Sequence, residues 1–284
     1  MNWRRILTWR SITIFSIAGI LLLELALRYL IDFPLYGTDS QVGYFIRPNQ
    51  HGAYLARNDW AFNRMGMGVA EEFAPSSKLD VLLVGDSIVY GGNPLRQQDK
   101  IGPMLEAETG WQVWPISAGS WGMQNELAYL GRIPQAVRTS DVIVFVFNSG
   151  DFGDPSSWAS EYTHPRSRPT SYLLYLAGKF RGAPAQPPSD LVVKPWADLP
   201  EAWNQFVAAS RKPVLVVAYP AKAELASGCS WVPDWAKSAG AFACFGGDGQ
   251  MMPEDYRDGI HPSGLGMKKL SSFIRNKVEA LPKQ

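Results

Sequence analysis

Cysteine and histidine are the scarcest of the chemically active side chains in this 284-residue sequence, with two of the first and three of the second. Two cysteines exclude a disulfide-built scaffold, and three histidines leave little from which to assemble a metal centre. Neither sign of charge dominates: 27 Lys and Arg stand against 26 Asp and Glu, a formal net charge of +1. That balance supplies no cationic field for nucleic acid. There is no heptad pattern, internal repeat or low-complexity tract. Only 19% of residues are charged, but 46% are hydrophobic, which excludes wholesale disorder. The length suits one domain of about 200 residues with something added.

The addition is N-terminal. Residues 11–23 (SITIFSIAGILLL) carry no charge, and apolar character resumes through residues 25–31 after Glu24. As a helix, residues 11–31 span about 31 Å, enough to cross a bilayer core. Arg4, Arg5 and Arg10 precede the run, and the first charge after it is Asp32. The positive-inside bias therefore predicts a cytoplasmic N-terminus (1–10), a transmembrane signal anchor (11–31) and an exported remainder. Glu24 and Arg28 each cost about 2.5–3.5 kcal/mol deep in a membrane. Four apart with the acid first, they are placed to pair on one helix face and reach outward. The competing readings are a cleaved signal peptide, for which no small-x-small site follows, and a buried core helix.

Export makes the cysteines interpretable. Cys229 and Cys244 bracket the stretch CSWVPDWAKSAGAFAC, and an oxidising compartment lets them bridge. The other reading is two unpaired small core residues.

Residues 32–77 mix Gly, Pro, Asn and aromatics without a sustained period and read as an irregular connector with room for a short hairpin. From residue 78 the texture changes. Apolar runs at 80–84, 112–117, 141–147 and 213–219 read as buried strands, and helical stretches follow at about 101–109, 124–137, 200–210 and 264–281. This alternation predicts a three-layer α/β/α fold, a doubly wound parallel sheet of the flavodoxin-like kind over residues 78–284. Residues 150–199, rich in Pro, Ser and aromatics with a brief helix near 171–180, are expected to insert as a lid or binding element.

Four segments carry chemistry. In VLLVGDSIVYGG (81–92) a strand ends at Val84, Gly85 permits a sharp turn, and Ser87 falls just beyond the strand. There a serine has its hydroxyl at the sheet rim and its amide free, as a nucleophile needs. In DYRDGIHPSGLG (255–266), Asp258 precedes His261 by three, so the acid can hold one ring nitrogen while the other faces a serine hydroxyl. Asp255 is the competing orienter, and His51 and His164 lie elsewhere. ISAGSWGMQNELAYL (116–130) leaves a strand through small residues, offering a backbone amide at Gly119, or else at Ser120 or Gly122. Asn148 follows the third apolar run and offers a side-chain amide. Ordinary helix starts and β-α turns account for each segment taken singly.

With GDS at 85–87, the Gly119 turn, Asn148 and DGIHP at 258–262, the sequence resembles the SGNH/GDSL hydrolases, serine esterases of doubly wound α/β/α fold. The resemblance implies Ser87 as nucleophile, His261 as base and Asp258 as its orienter. It also implies an oxyanion hole from the Ser87 amide, the Gly119 amide and the Asn148 side chain. Ile88 stands where the family has Leu. The third block reads Asn148-Ser149-Gly150-Asp151 in place of Gly-x-Asn-Asp, which puts Gly150 at the usual donor position.

The expected activity is ester hydrolysis on an O-acylated glycan or lipid by an exported, membrane-anchored enzyme that needs no metal or organic cofactor. Two alternatives stand beside it: an O-acyltransferase in an envelope polysaccharide-modifying assembly, and a non-catalytic glycan-binding relative. Trp158, Tyr162, Trp196, Trp231 and Trp235 are candidate stacking surfaces for sugar rings, or else core and lid packing.

Overall fold

The computed structural model describes residues 9–182, 186–248 and 251–282. The expected cytoplasmic segment, with Arg4 and Arg5, lies outside the described residues up to residue 8. Helix α1 (Trp9–Leu30) opens the chain. Two antiparallel hairpins follow, β1 (Tyr36–Asp39) with β2 (Gly43–Ile46) and β3 (Gln50–Tyr54) with β4 (Asn58–Phe62). The segment expected as a connector thus holds two hairpins. Tyr36, Tyr44, Ile46, Trp60 and Phe62 bury into the main core, so β1, β2 and β4 are specified by one or two apolar anchors each rather than by a long alternating pattern, and β3 has no fully buried residue.

The α/β unit comprises β5 (Asp80–Gly85), α2 (Ser87–Tyr90), α3 (Ile101–Thr109), β6 (Gln112–Ser117), α4 (Met123–Leu130), α5 (Pro134–Thr139) and β7 (Val142–Phe147). It continues through α6 (Tyr172–Arg181), α7 (Leu199–Ser210), β8 (Val214–Ala218), α8 (Asp234–Ser238), β9 (Ala241–Asp248) and α9 (Gly264–Glu279). The five strands are parallel in the order β6-β5-β7-β8-β9. This is the doubly wound sheet expected from the sequence.

The reason lies in the composition of the strands. Runs of Val, Ile and Leu suit a pleated surface buried on both faces, and β5, β7 and β8 are buried at every position. Alternation then sorts the side chains. Val81, Leu83, Val144 and Val146 pack on one side with Ile101 and Leu105 of α3 and Leu270 and Ile274 of α9. Leu82, Val84, Ile143 and Phe145 pack on the other with Leu127 of α4, Ala136 of α5 and Trp203 of α7.

Two expectations are refined. The helix expected over 124–137 is broken into α4 and α5, because Pro134 cannot donate to the preceding turn and instead starts a new helix. The strand β9 was not expected. Cys229 and Cys244 are bridged, S–S 2.04 Å, fastening the segment after β8 to β9.

Within α1, residues Ser11–Leu30 are long and apolar enough to cross a membrane, and Ile14, Phe15, Leu22 and Leu25 are exposed. Glu24 and Arg28 pair at 3.0 Å. Glu24 also reaches a second helix, where its carboxylate accepts from the Tyr172 and Leu173 amides at 2.8 and 3.1 Å and from the Ser171 hydroxyl at 3.0 Å. These are first-turn groups of α6 that no intrahelical acceptor reaches.

Candidate active site

Two chain reversals build the site at the C-terminal edge of the sheet. The order β6-β5-β7 places a switch point at β5, where doubly wound sheets open a crevice. Gly85 closes β5 because a Cβ there would stand 2.5 Å from Val89 Cγ2 and 3.0 Å from the Val146 carbonyl. Asp86 then caps α2, its Oδ1 accepting from the Ile88 amide at 2.8 Å, and Ser87 becomes the first helical residue.

The second reversal precedes α9. Asp258 Oδ1 accepts from the Ile260 and His261 amides at 3.0 and 2.8 Å, an Asx-type turn that fixes the carboxylate beside the His261 ring. His261 Nδ1 lies 2.8 Å from Asp258 Oδ2, and His261 Nε2 lies 3.0 Å from Ser87 Oγ. Burial pushes the Asp258 carboxyl up, but the two amides and the His261 ring outweigh it and hold the group down at about 2. An ionised carboxylate only accepts, so His261 carries its proton on Nδ1 and presents a lone pair at Nε2 to Ser87. Ser87 is thus brought to the Asp258–His261 pair, which lies 174 residues further along the chain at His261. Asp255 is not part of this set. It is buried, takes the Lys269 ammonium at 2.5 Å and caps the preceding turn through the Met252 amide.

The donors expected around the serine divide. Gly119 lines the cavity above Ser87, and among the described residues its amide has no acceptor. Its carbonyl accepts from the Tyr44 hydroxyl at 2.7 Å. The Gly122 amide is spent on Asn125 Oδ1 at 3.0 Å, inside the α4 cap. The Ser120 carbonyl accepts from the Ser156 hydroxyl. Asn148 stands behind the serine rather than in the cavity wall: its Nδ2 donates to Asp86 Oδ2 at 3.0 Å and its Oδ1 accepts from the Gly150 amide at 2.8 Å.

Behind Ser87 lies a group the sequence did not single out. Asp86, Glu126 and Asp151 are all buried. Burial raises the Asp86 carboxyl, and it raises Glu126 and Asp151 well above the carboxylate range, with the charge of Asp86 adding to both. Asp86 Oδ2 stands 3.1 Å from Ser87 Oγ. A protonated Asp86 donates to the serine oxygen and leaves the serine proton for His261, whereas an ionised Asp86 competes for that proton. Asp86 sits inside the GDS string and Asp151 ends the third block of the resemblance, but nothing in the sequence set them, or Glu126, beside one another.

The cavity over Ser87 and His261 has a volume of about 570 Å³. Its walls come from unexpected places: Ile31 and Phe33 just after α1, Tyr36 and Tyr54 of the hairpins, and Leu176 and Phe180 of α6. His164 also lines it, stacked on Tyr44 at 3.8 Å between ring centroids, and burial lowers it to about 4. His51 lies exposed in β3. None of the five aromatics proposed as stacking surfaces lines this cavity. Trp158 is covered by the Arg166 guanidinium at 3.8 Å, Trp231 and Trp235 pack on Phe152, Tyr162 packs on Tyr175, and Trp196 is exposed. Among the described residues no His, Cys, Asp and Glu group is arranged to hold a metal ion.

No family model matches the chain, and no curated protein matches it. Among solved structures, it is similar to LAE5, an α/β hydrolase enzyme from the metagenome of Lake Arreo, Spain. That pair shares 12% identity and a TM-score of 0.43 over 74% of this chain and 99% of the other. It is similar also to a member of the lipolytic protein G-D-S-L family from Veillonella parvula, at 11% identity and TM-score 0.43, over 71% of this chain and 99% of the other. A third likeness is to the salicylyl-acyltransferase SsfX3 from a tetracycline biosynthetic pathway, at 13% identity and TM-score 0.43, over 75% of this chain and 58% of the other.

Proposed function

We propose that the chain is a serine ester hydrolase held to a membrane by α1, with the Ser87 site on the exported side. One observation carries this reading: Ser87 Oγ, His261 and Asp258 form a continuous hydrogen-bonded line, 3.0 Å and then 2.8 Å, at the floor of a cavity. A serine hydroxyl is a weak nucleophile at neutral pH and needs a base in this position.

Ser87 Oγ attacks the ester carbonyl as its proton passes to His261 Nε2. Asp258 stabilises the imidazolium through Nδ1–H. The carbonyl oxygen, now an oxyanion, meets the Ser87 and Gly119 amides. Collapse of the tetrahedral intermediate breaks the C–O bond, and the leaving alkoxide takes the proton from Nε2. Water then repeats the sequence on the acyl-serine and releases the acid. Asn148, the third donor expected, contributes through Asp86 in this arrangement, and joins the oxyanion directly only by turning away from it.

Anchoring is supported by the way α1 is used. Glu24 caps α6 and Arg28 donates to the Thr170 carbonyl, so the apolar helix is bonded to the domain it precedes. The N-terminal arginines favour a cytoplasmic start and an exported site. The substrate on that side is an O-acylated glycan or lipid.

The test uses the full chain in detergent with p-nitrophenyl acetate. Ser87→Ala and His261→Ala are expected to lose activity by about 10³-fold or more, and His51→Ala to keep it. Equal rates for wild type and Ser87→Ala remove the enzyme reading and leave a non-catalytic glycan-binding role. Adding a polyol acceptor separates hydrolysis from transfer, since ester product exceeding free acid assigns an O-acyltransferase using the same residues.

A further inference from the structure

We propose that α6 lies on the membrane surface beside α1, and that the Ser87 cavity draws its substrate from the bilayer: a membrane-resident ester with an anionic headgroup. This rests on the hydrolase reading and names the substrate class for the same site.

Glu24 sets the level at which α6 sits. Glu24 is six residues before the end of α1 at Leu30, about 9 Å along the helix axis. Its carboxylate caps the first turn of α6 through Ser171, Tyr172 and Leu173. The Arg28 guanidinium lies over the Tyr172 ring, 5.4 Å from its centroid. When α1 spans a bilayer, α6 therefore stands beside its last turns, where hydrocarbon gives way to headgroups.

The outward face of α6 suits that level and does not suit water. Leu174 is 73% exposed and Phe180 is 89% exposed. At 100° per residue Leu173, Leu174, Ala177 and Phe180 fall within about 120° of one another, an apolar stripe on the side of the helix away from Tyr172 and Tyr175, with Phe180 also lining the Ser87 cavity. The opposite side of the helix is already occupied, since Tyr172 and Tyr175 pack with Phe33. Lys179 and Arg181 are exposed at its end, and the helix holds no acid. An apolar stripe with basic residues at its end is the pattern of a helix lying at an anionic interface.

The cavity joins this surface to the chemistry. Ile31 and Phe33, directly after α1, and Leu176, Lys179 and Phe180 of α6 line the same cavity as Ser87 and His261. An ester lipid can place its apolar part against Ile31, Phe33 and Leu176, its anionic headgroup near Lys179, and its carbonyl at Ser87 without leaving the membrane. A soluble glycan ester has no use for such walls.

The experiment reconstitutes the full chain in phosphatidylcholine vesicles, with and without phosphatidylglycerol. It compares a fluorogenic long-chain ester dissolved in the bilayer with p-nitrophenyl acetate in the water. Leu174 lines no part of the Ser87 cavity, and α1 still holds a Leu174→Asp chain in the vesicle. The variant is expected to cleave the bilayer ester about tenfold more slowly and p-nitrophenyl acetate at the wild-type rate. Arg181→Glu is expected to raise the apparent KM several-fold with phosphatidylglycerol present and to change little without it. Wild-type rates on both esters for Leu174→Asp overturn the inference, as does a wild-type chain that cleaves p-nitrophenyl acetate through Ser87 but not the bilayer ester. A Leu174→Asp chain inactive on both is misfolded, and Leu174→Ser then decides by the same comparison. Only Ser87-independent cleavage of p-nitrophenyl acetate brings down the hydrolase reading itself.

Discussion

Glu126 has both carboxylate oxygens shut away from water and, among the described residues, without a hydrogen-bond donor. Asp151 and Asp86 are its buried acidic companions, but each has a donor: the Asn148 amide for Asp151, and the Ile88 amide and Asn148 Nδ2 for Asp86. Burying an uncompensated charge is costly, so the fold holds Glu126 protonated, its carboxyl raised well above the ordinary 4.5. The unfolded chain then loses this proton first as pH rises. The stability Glu126 contributes is full below about 4.5 and is lost as pH climbs toward the folded value. Asp258 acts with the opposite sign: held at about 2, it adds stability that is full above its ordinary 3.8 and lost as pH falls toward 2. Glu126→Gln, an isostere of the protonated acid, is expected to stabilise the chain by about 1–2 kcal/mol near neutral pH and to change little in mild acid. Thermal melts of both proteins from about pH 5 to about pH 8 check this, and a variant that melts lower than wild type throughout refutes it. Ser87, Asp258 and His261 were legible because each follows a strand or opens a turn of recognisable sequence. Glu126 was not. Whether an acid at a helix start meets water or another acid depends on what packs above it.

Among elements, the strands spelled by Val, Ile and Leu were legible nearly to the residue: the runs at 80–84 and 141–147 became Asp80–Gly85 and Val142–Phe147. Burial on both faces demands unbroken apolar text, which is hard to mistake. The strand Ala241–Asp248 reads Ala-Phe-Ala-Cys-Phe-Gly-Gly-Asp, too small and too rich in glycine to announce itself. Its identity comes from pairing with Val214–Ala218 and from the Cys229–Cys244 bridge. The two hairpins were hidden for a related reason, since strands of four or five residues are too short for a period to show. The bridge closes a loop of 15 residues, worth about 3 kcal/mol in the chain-entropy model. Replacing both cysteines by serine is therefore expected to lower Tm by several degrees. It should also speed amide exchange in the edge strand β9 well before the central β5 and β7. Unchanged melting, or exchange that rises equally in all three strands, would show that the bridge adds nothing local.

At the scale of the whole molecule, α1 is fastened to the domain rather than merely tethered. Asp32 takes the Arg168 guanidinium at 2.6 Å and the Ala53 amide at 3.2 Å, and Arg168 donates to the Phe33 carbonyl at 2.6 Å. Phe33 stacks on Tyr175 with centroids 5.5 Å apart. With the Glu24 cap, these contacts tie the end of α1, residues 31–36 and α6 into one small cluster. Residues 32–77 and 150–199 could be read from sequence only as a connector and an insertion, because what each does depends on the other, and a single chain pass sees no contact between them. The cluster makes α6 depend on α1 in a measurable way. Glu24→Ala removes the acceptor of two first-turn amides of α6, which costs about 1–2 kcal/mol when such a cap is lost. In detergent-solubilised full-length chain, tryptic cleavage after Lys179 or Arg181 is expected to run several-fold faster in the variant, because local opening of α6 precedes cutting. Cleavage elsewhere in the α/β unit should not change, and neither should p-nitrophenyl acetate hydrolysis as long as the cavity floor at Ser87 is intact. If the variant is cut at Lys179 and Arg181 no faster than wild type, α6 stands without its cap, and α1 is a tether after all.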